Sequence, residues 1–200
     1  MVRTNWFKKS KQLNAESEDK KEMYDWFEKR TKKHIELVRK YCKKIADYDS
    51  DRFKGIIERG EVHDDSKFES PEYEPYVYTT WKYKCEADGN DFEAPEGMED
   101  RMHEATEHHV NNKKNKHHPE SHSTQKGTIN KEDRDKPPEN AIDASKMSDL
   151  DVAEMVADWC SVSEERGTSP KKWADDNIGK RWKFTTEHES LIYELIKEIF

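Results

Sequence analysis

A chain of 200 residues suffices for one domain, and with 40% charged against 32% hydrophobic residues and a mean hydropathy of −1.30 it supports a lean core beside solvated segments. The net charge of −8 weighs against a protein that holds nucleic acid by bulk phosphate neutralisation, while a small anionic substrate stays compatible because a bound dication sets the local potential. Six Trp, eight Tyr and seven Phe argue against wholesale disorder.

The N-terminus, with Lys8 and Lys9 close behind Trp6 and Phe7, has no apolar run for a signal peptide or membrane span, so the expected location is cytoplasmic. Residues 1 to about 20 are polar and lysine-rich and read as a loosely docked arm. From Tyr24 to Asp47 a helical period appears, carried by Trp26, Phe27, Leu37, Val38, Tyr41 and Ile45. His34 precedes Val38, Tyr41 and Ile45 on the same stripe, which turns its imidazole inward. A shorter helix through Phe53, Ile56 and Ile57 ends near Gly60 and leaves His63 and Asp64 at or just past its end.

Ser70 and Pro71 read as an N-cap and first-turn proline for an aromatic segment with Tyr73, Tyr76, Val77 and Trp81. Cys85 to Pro95 is acidic, contains Asp88-Gly89-Asn90, and reads as a turn. Met98, Met102, Ala105 and His109 restore helical spacing and put His109, rather than His108, on the buried side. Residues 121 to 144 lack any period and read as a polar surface insertion. A buried helix over Leu150 to Cys160 follows, with Asp158 on one face together with Glu154 and Asp151. Trp173 to Phe184 reads as a connection, and a last helix opens with a capping box at Thr186 and Glu189. With no period-two segment of any length, the fold class is all-α, a helical bundle over residues 21 to 200. Cys42, Cys85 and Cys160, without CxxC spacing, read as reduced, buried thiols.

A lone histidine on an apolar stripe is more often a hydrogen-bonded core residue than a ligand. The conjunction is what points to metal: His34, the His63-Asp64 doublet at a helix end, His109, the pair His117-His118, and Asp158 on a late apolar helix. Imidazoles and carboxylates are the donors that borderline and hard dications take, and a doublet ligates with both side chains only on a rigid backbone.

This order resembles that of the HD-domain superfamily of metal-dependent phosphohydrolases, and the string His63-Asp64-Asp65-Ser66-Lys67 is similar to the HD-x-x-K form of its two-metal branches. HDDSKF, NKHHPE and EMVADW also resemble signatures of a family of small, functionally uncharacterised phage and bacterial proteins, and the expected cytoplasm would be that of the bacterial host if the chain is phage-encoded. The resemblance implies His34, His63, Asp64 and Asp158 as the basic metal set, with His109 and one or both of His117 and His118 completing a second site. His108 is the alternative to His109. Asp64 is the candidate bridge, since a carboxylate has two oxygens to give. The close spacing of His109 and His117 departs from the cyclic-dinucleotide phosphodiesterase branch.

The expected cofactor is a divalent metal ion (Mn, Mg, Co, Fe or Zn), one or two per chain, which would lower the pKa of a bound water towards ~7 and so supply hydroxide. Asp64, Lys67 and Glu120 are the catalytic candidates: Lys67 to hold a phosphate oxygen, Glu120 to orient an imidazole from behind, with Glu154 and Asp151 as weaker candidates for that task. Lys113, Lys114 and Lys116 could draw in an anion, and Tyr73, Tyr76 and Trp81 could stack on a base. The expected function is hydrolysis of a nucleotide or other small phosphoester. Two alternatives stand beside it: a di-iron oxygenase of HD type, and a non-enzymatic binding protein with a structural metal.

Overall fold

The computed structural model describes residues 3–125, 129 and 136–200, with side chains from residue 19 onward. Helix α1 (Arg3–Tyr48) carries buried residues at 23, 27, 31, 34, 35, 38, 41, 42 and 45, the three- and four-residue spacing of one helical face. It begins at Arg3, so the polar segment expected as a separate arm continues this helix.

α2 (Ile56–Glu61) lies close against α1, and a Cβ at Gly60 would stand 3.0 Å from Cys42 Sγ, so glycine is what permits this approach. α3 (Tyr73–Ala87) and α4 (Met98–Asn111) pack on each other, and α3 packs on α1. Glu72 stands at the N-cap of α3 instead of Ser70, and Pro75 falls in the first turn, where its missing N–H breaks no helical bond. α5 (Asp149–Arg166) starts with a capping box of Ser148 and Asp151, packs against α1, α2 and α7 (Thr186–Ile199), and ends at Gly167, whose φ of 65° suits a residue without Cβ. The last helix is capped by Thr185, which accepts from the His188 N–H; the expected cap, Thr186, is the first helical residue. Part of the expected Trp173–Phe184 connection is a further helix, α6 (Pro170–Asn177), opened by Ser169 as cap and Pro170 in its first turn.

Two apolar clusters result. The larger joins Val38, Cys42 and Ile45 of α1 to Val152, Met155 and Val156 of α5 and Leu191, Ile192, Leu195 and Ile199 of α7. Each such side chain, fully buried, contributes roughly 1.5–3 kcal/mol against exposure. The smaller joins Met23 and Phe27 to Tyr76, Val77, Met98 and Ala105. His34 lies on α1 between the stretches that feed the two clusters, so the polar residues gather at the seam.

Ile142–Asp143 (β1) and Trp182–Lys183 (β2) form a two-residue parallel pair, with Ile142 opposite Trp182. The stretch 121 to 144, expected as a surface insertion, is thus tied to the core at its ends, while residues 136, 137, 139 and 140 are exposed. Residues 126–128 and 130–135 lie outside the described residues, but Ser121, Ile129, Ile142 and Ala144 are buried, and Ile142 and Ala144 belong to the larger core. Among the described residues the fold is an all-α helical bundle apart from this pair and one isolated bridge between Ile178 and Trp182. Cys42 and Cys160 are buried as expected, whereas Cys85 is half-exposed. Among the described residues, no helix is long and apolar enough to cross a membrane.

Candidate metal centre

The centre is organised by one backbone feature. Asp64 has φ 61° and ψ 11°, the left-handed conformation that aspartate tolerates better than most residues. This bend, between α2 and a 3-10 turn over Asp65–Phe68, lets two consecutive side chains enter the interior: His63 is 2% exposed and Asp64 1%.

Around the Asp64 carboxylate the candidates fall into two groups. His34 Nε2 is 3.5 Å and His63 Nε2 3.8 Å from Asp64 Oδ2. Asp158 Oδ1 adds to this side, 3.2 Å from His34 Nε2 and 4.0 Å from His63 Nε2. On the other side His109 Nε2 is 3.1 Å and His117 Nε2 3.9 Å from Asp64 Oδ1, and His118 offers a ring nitrogen to the same group. The ligand atoms of His34, His63 and Asp64 lie within 4.8 Å of one another, as do those of Asp64, His109, His117 and His118, and a third such group, His63, His117 and Asp158, crosses between the two sides. Asp64 is thus placed to bridge, one oxygen to each group.

Burial makes the arrangement costly without a cation. His63 Nε2, His109 Nε2, His117 Nε2, His118 Nε2 and Asp64 Oδ1 are buried and make no hydrogen bond, and a buried polar atom left so costs about 1–3 kcal/mol. The unpartnered atoms are the lone-pair donors that face one another, so the residues fit a divalent ion. Charge agrees with this. The carboxylates of Asp64, Glu72, Glu154 and Asp158 outnumber the cationic side chains bonded to them, Lys67 and Arg59. Burial opposes ionisation of Asp64, yet Lys67, His63 and His109 hold it well below the usual carboxylate range. Burial likewise opposes ionisation of Asp158, but the bond from His34 and the nearby His63 and His117 hold it down at about 2. His117 and His118 are pushed below the ordinary imidazole value, chiefly by burial and then by their neighbouring histidines, which keeps their lone pairs free.

The nitrogens facing away from the centre are held from behind. His63 Nδ1 bonds to Glu154 Oε1 at 3.0 Å, and Arg59 takes the other oxygen of Glu154 at 2.6 Å while reaching Asp151 at 2.8 Å. His109 Nδ1 donates to Glu72 Oε2 at 2.8 Å, and Ser66 Oγ donates to the same oxygen at 2.9 Å. Ser161 Oγ sits 3.1 Å from His34 Nδ1. A carboxylate behind an imidazole fixes the tautomer that leaves Nε2 bare.

Several candidates stand elsewhere. Glu120 accepts from Trp182 Nε1 at 2.9 Å instead of backing an imidazole, and burial raises its pKa. His108 is exposed, its Nδ1 2.7 Å from Glu72 Oε1, and it does not join the clustered ligand groups. Lys113, Lys114 and Lys116 are exposed on the loop after α4. Tyr73 packs on Phe27 and Tyr76 on the His109 ring, as core aromatics. Glu72 is the residue that periodicity missed. It is fully buried yet precedes the first turn of α3, where a carboxylate reads as ordinary N-terminal helix charge.

A family model with the description "Family of unknown function (DUF5662)" matches residues 23–199. The chain belongs to this family. No curated protein matches it, and no solved structure does. The match spans every residue of the cluster from His34 to Asp158, so the centre described above lies within the DUF5662 segment of the chain.

Proposed function

We propose that this protein is a metal-dependent phosphohydrolase that acts on a nucleotide or another small phosphoester, with its divalent ions held by His34, His63, Asp64 and Asp158 on one side and His109, His117 and His118 on the other. One observation carries the reading: four imidazoles and the Asp64 carboxylate turn bare donor atoms toward one another, with His34 and Asp158 alongside and a lysine on Asp64. The order of these residues, similar to that of the HD-domain superfamily, supports the same reaction class.

A dication bound there supplies a water acidified toward neutrality and a positive charge against phosphoryl oxygens. The protein's own part is positioning. Lys67 Nζ contacts Asp64 Oδ2 and lies 5.3 Å from the Tyr76 ring centroid, and its side chain is 20% exposed. An ammonium with that partial exposure meets a substrate phosphate without a large side-chain movement. Asp158, 19% exposed, borders the same cluster on its accessible side. Buried Glu72 and Glu154 keep the imidazoles in register and close the rear of the site to water.

The test is phosphate release from nucleotides, cyclic dinucleotides and sugar phosphates by the pure protein with Mn, Mg or Co. Release that Asp64→Asn abolishes, and that Lys67→Met lowers about 100-fold with metal content unchanged, is the expected result. The nitrogen-rich donor set also suits iron. Iron in the purified protein together with dioxygen consumption, and no phosphate release with any metal, would replace hydrolysis by oxygenase chemistry.

A further inference from the structure

The two groups of ligands are not independently supported. Glu72 lies behind His109 alone among the inward-facing imidazoles, its second oxygen going to His108 on the outside. Glu154 lies behind two. Its Oε1 accepts from His63 Nδ1 at 3.0 Å and stands 3.3 Å from His117 Nδ1, which makes no aligned hydrogen bond with any group. His63 and His117 pack ring to ring, with centroids 4.2 Å apart, yet their Nε2 atoms serve different oxygens of Asp64. All three residues are almost fully buried, so water does not substitute for the carboxylate.

We infer that Glu154 is the positioning residue that couples the two metal subsites, whereas Glu72 supports only the subsite built on His109, His117 and His118. This rests on the metal centre proposed above. The physical reason is the shared oxygen. A neutral imidazole presents a bare Nε2 only if its proton sits on Nδ1, and Glu154 Oε1 is within reach of both rings, 3.0 Å from His63 Nδ1 and 3.3 Å from His117 Nδ1. Arg59 holds the opposite oxygen at 2.6 Å and Asp151 braces Arg59, so the carboxylate is fixed in orientation. A Gln at this position gives its carbonyl to Arg59 and turns its amide donors toward the imidazoles. Both histidines then lose the acceptor that selects their tautomer. A Gln at position 72 disturbs, among the inward-facing imidazoles, only His109.

The experiment is a Co(II) titration of the metal-free full-length protein, read by calorimetry and by the visible spectrum of the bound cobalt. Wild type takes two equivalents. Glu72→Gln keeps one equivalent at wild-type affinity and weakens the other about 10–100-fold, the usual effect of losing a partner behind a ligand. Glu154→Gln weakens both by about 10–100-fold and alters both cobalt spectra. Should Glu154→Gln fail to fold, Arg59→Met, which frees the carboxylate without deleting it, weakens both equivalents. A Glu154→Gln or Arg59→Met protein that loses one equivalent alone, or neither, overturns the coupling. Equal weakening of both equivalents by Glu72→Gln overturns it too. Wild-type protein that takes up fewer than two equivalents removes the two-metal reading itself, and the coupling with it.

Discussion

The two sides of the Asp64 carboxylate are built differently. His34 and Asp158 come from the middle of long helices, α1 and α5, whose apolar faces pack into the larger core. Helix–helix packing therefore places these two donors, and polar partners only trim their orientation. His117 and His118 come from the irregular stretch after α4, which leaves its helix at Asn111 and enters a 3-10 turn at Pro119–His122. There the backbone is fixed by polar contacts: Asn115 is buried, and its side-chain amide donates to the His109 carbonyl at 3.0 Å and to Ser66 Oγ at 3.1 Å. His63 lies past the end of α2 and His109 on α4, so neither side is wholly helix or loop, but the second carries more irregular backbone, whose order depends more on its ligand.

The largest expected effect falls on the residue the two sides share. Asp64→Asn keeps a residue suited to the left-handed conformation but removes the charge, so both metal equivalents are lost while the far-ultraviolet circular dichroism stays helical. Retention of one tight equivalent would show that the two sides do not share this carboxylate. Stripping the metal sharpens the contrast further. Amide hydrogen exchange of residues 112–122 is expected to speed up at least about tenfold in the metal-free protein, with the centres of α1 and α5 unchanged. Equal protection of both regions with and without metal would mean that the loop half is as preformed as the helical half.

The same contrast explains what could be read before the fold was known. His34 was legible because stripe residues four, seven and eleven positions on fixed its face, and Asp158 because it sits on a helix that is apolar around most of its circumference. The preference for His109 over His108 followed from the spacing of Met98, Met102 and Ala105. Glu72 and Asn115 were not legible. Their roles come from tertiary contacts across elements, and short-range periodicity is silent about a carboxylate just ahead of a helix or an amide in a loop. Glu120 went wrong for a related reason: proximity to His118 in sequence suggested contact, but the 3-10 turn directs it at Trp182. Glu154 was placed on the correct helix face by its spacing from Asp158, though sequence could not show that it meets two imidazoles.

The polar segment before α5 offers a smaller test away from the metal. If Ile142 anchors it in the larger core, Ile142→Ala should lower stability by about 2–5 kcal/mol, seen in denaturant unfolding at unchanged slope. A change under about 0.5 kcal/mol would restore the picture of a surface insertion. The smallest effect concerns the final cap. Thr185→Ala should cost about 1 kcal/mol and Thr186→Ala only a few tenths, because Thr185 accepts from the His188 N–H. The reverse order would place the start of α7 one residue later.

The proposed function requires metal ions held where the bare imidazole nitrogens converge. Elemental analysis of the full chain, freshly purified without chelator and again after reconstitution with cobalt, tests this directly. Two divalent ions per chain are expected, falling to none in Asp64→Asn. A folded wild-type protein that carries no stoichiometric metal and takes up none would contradict it.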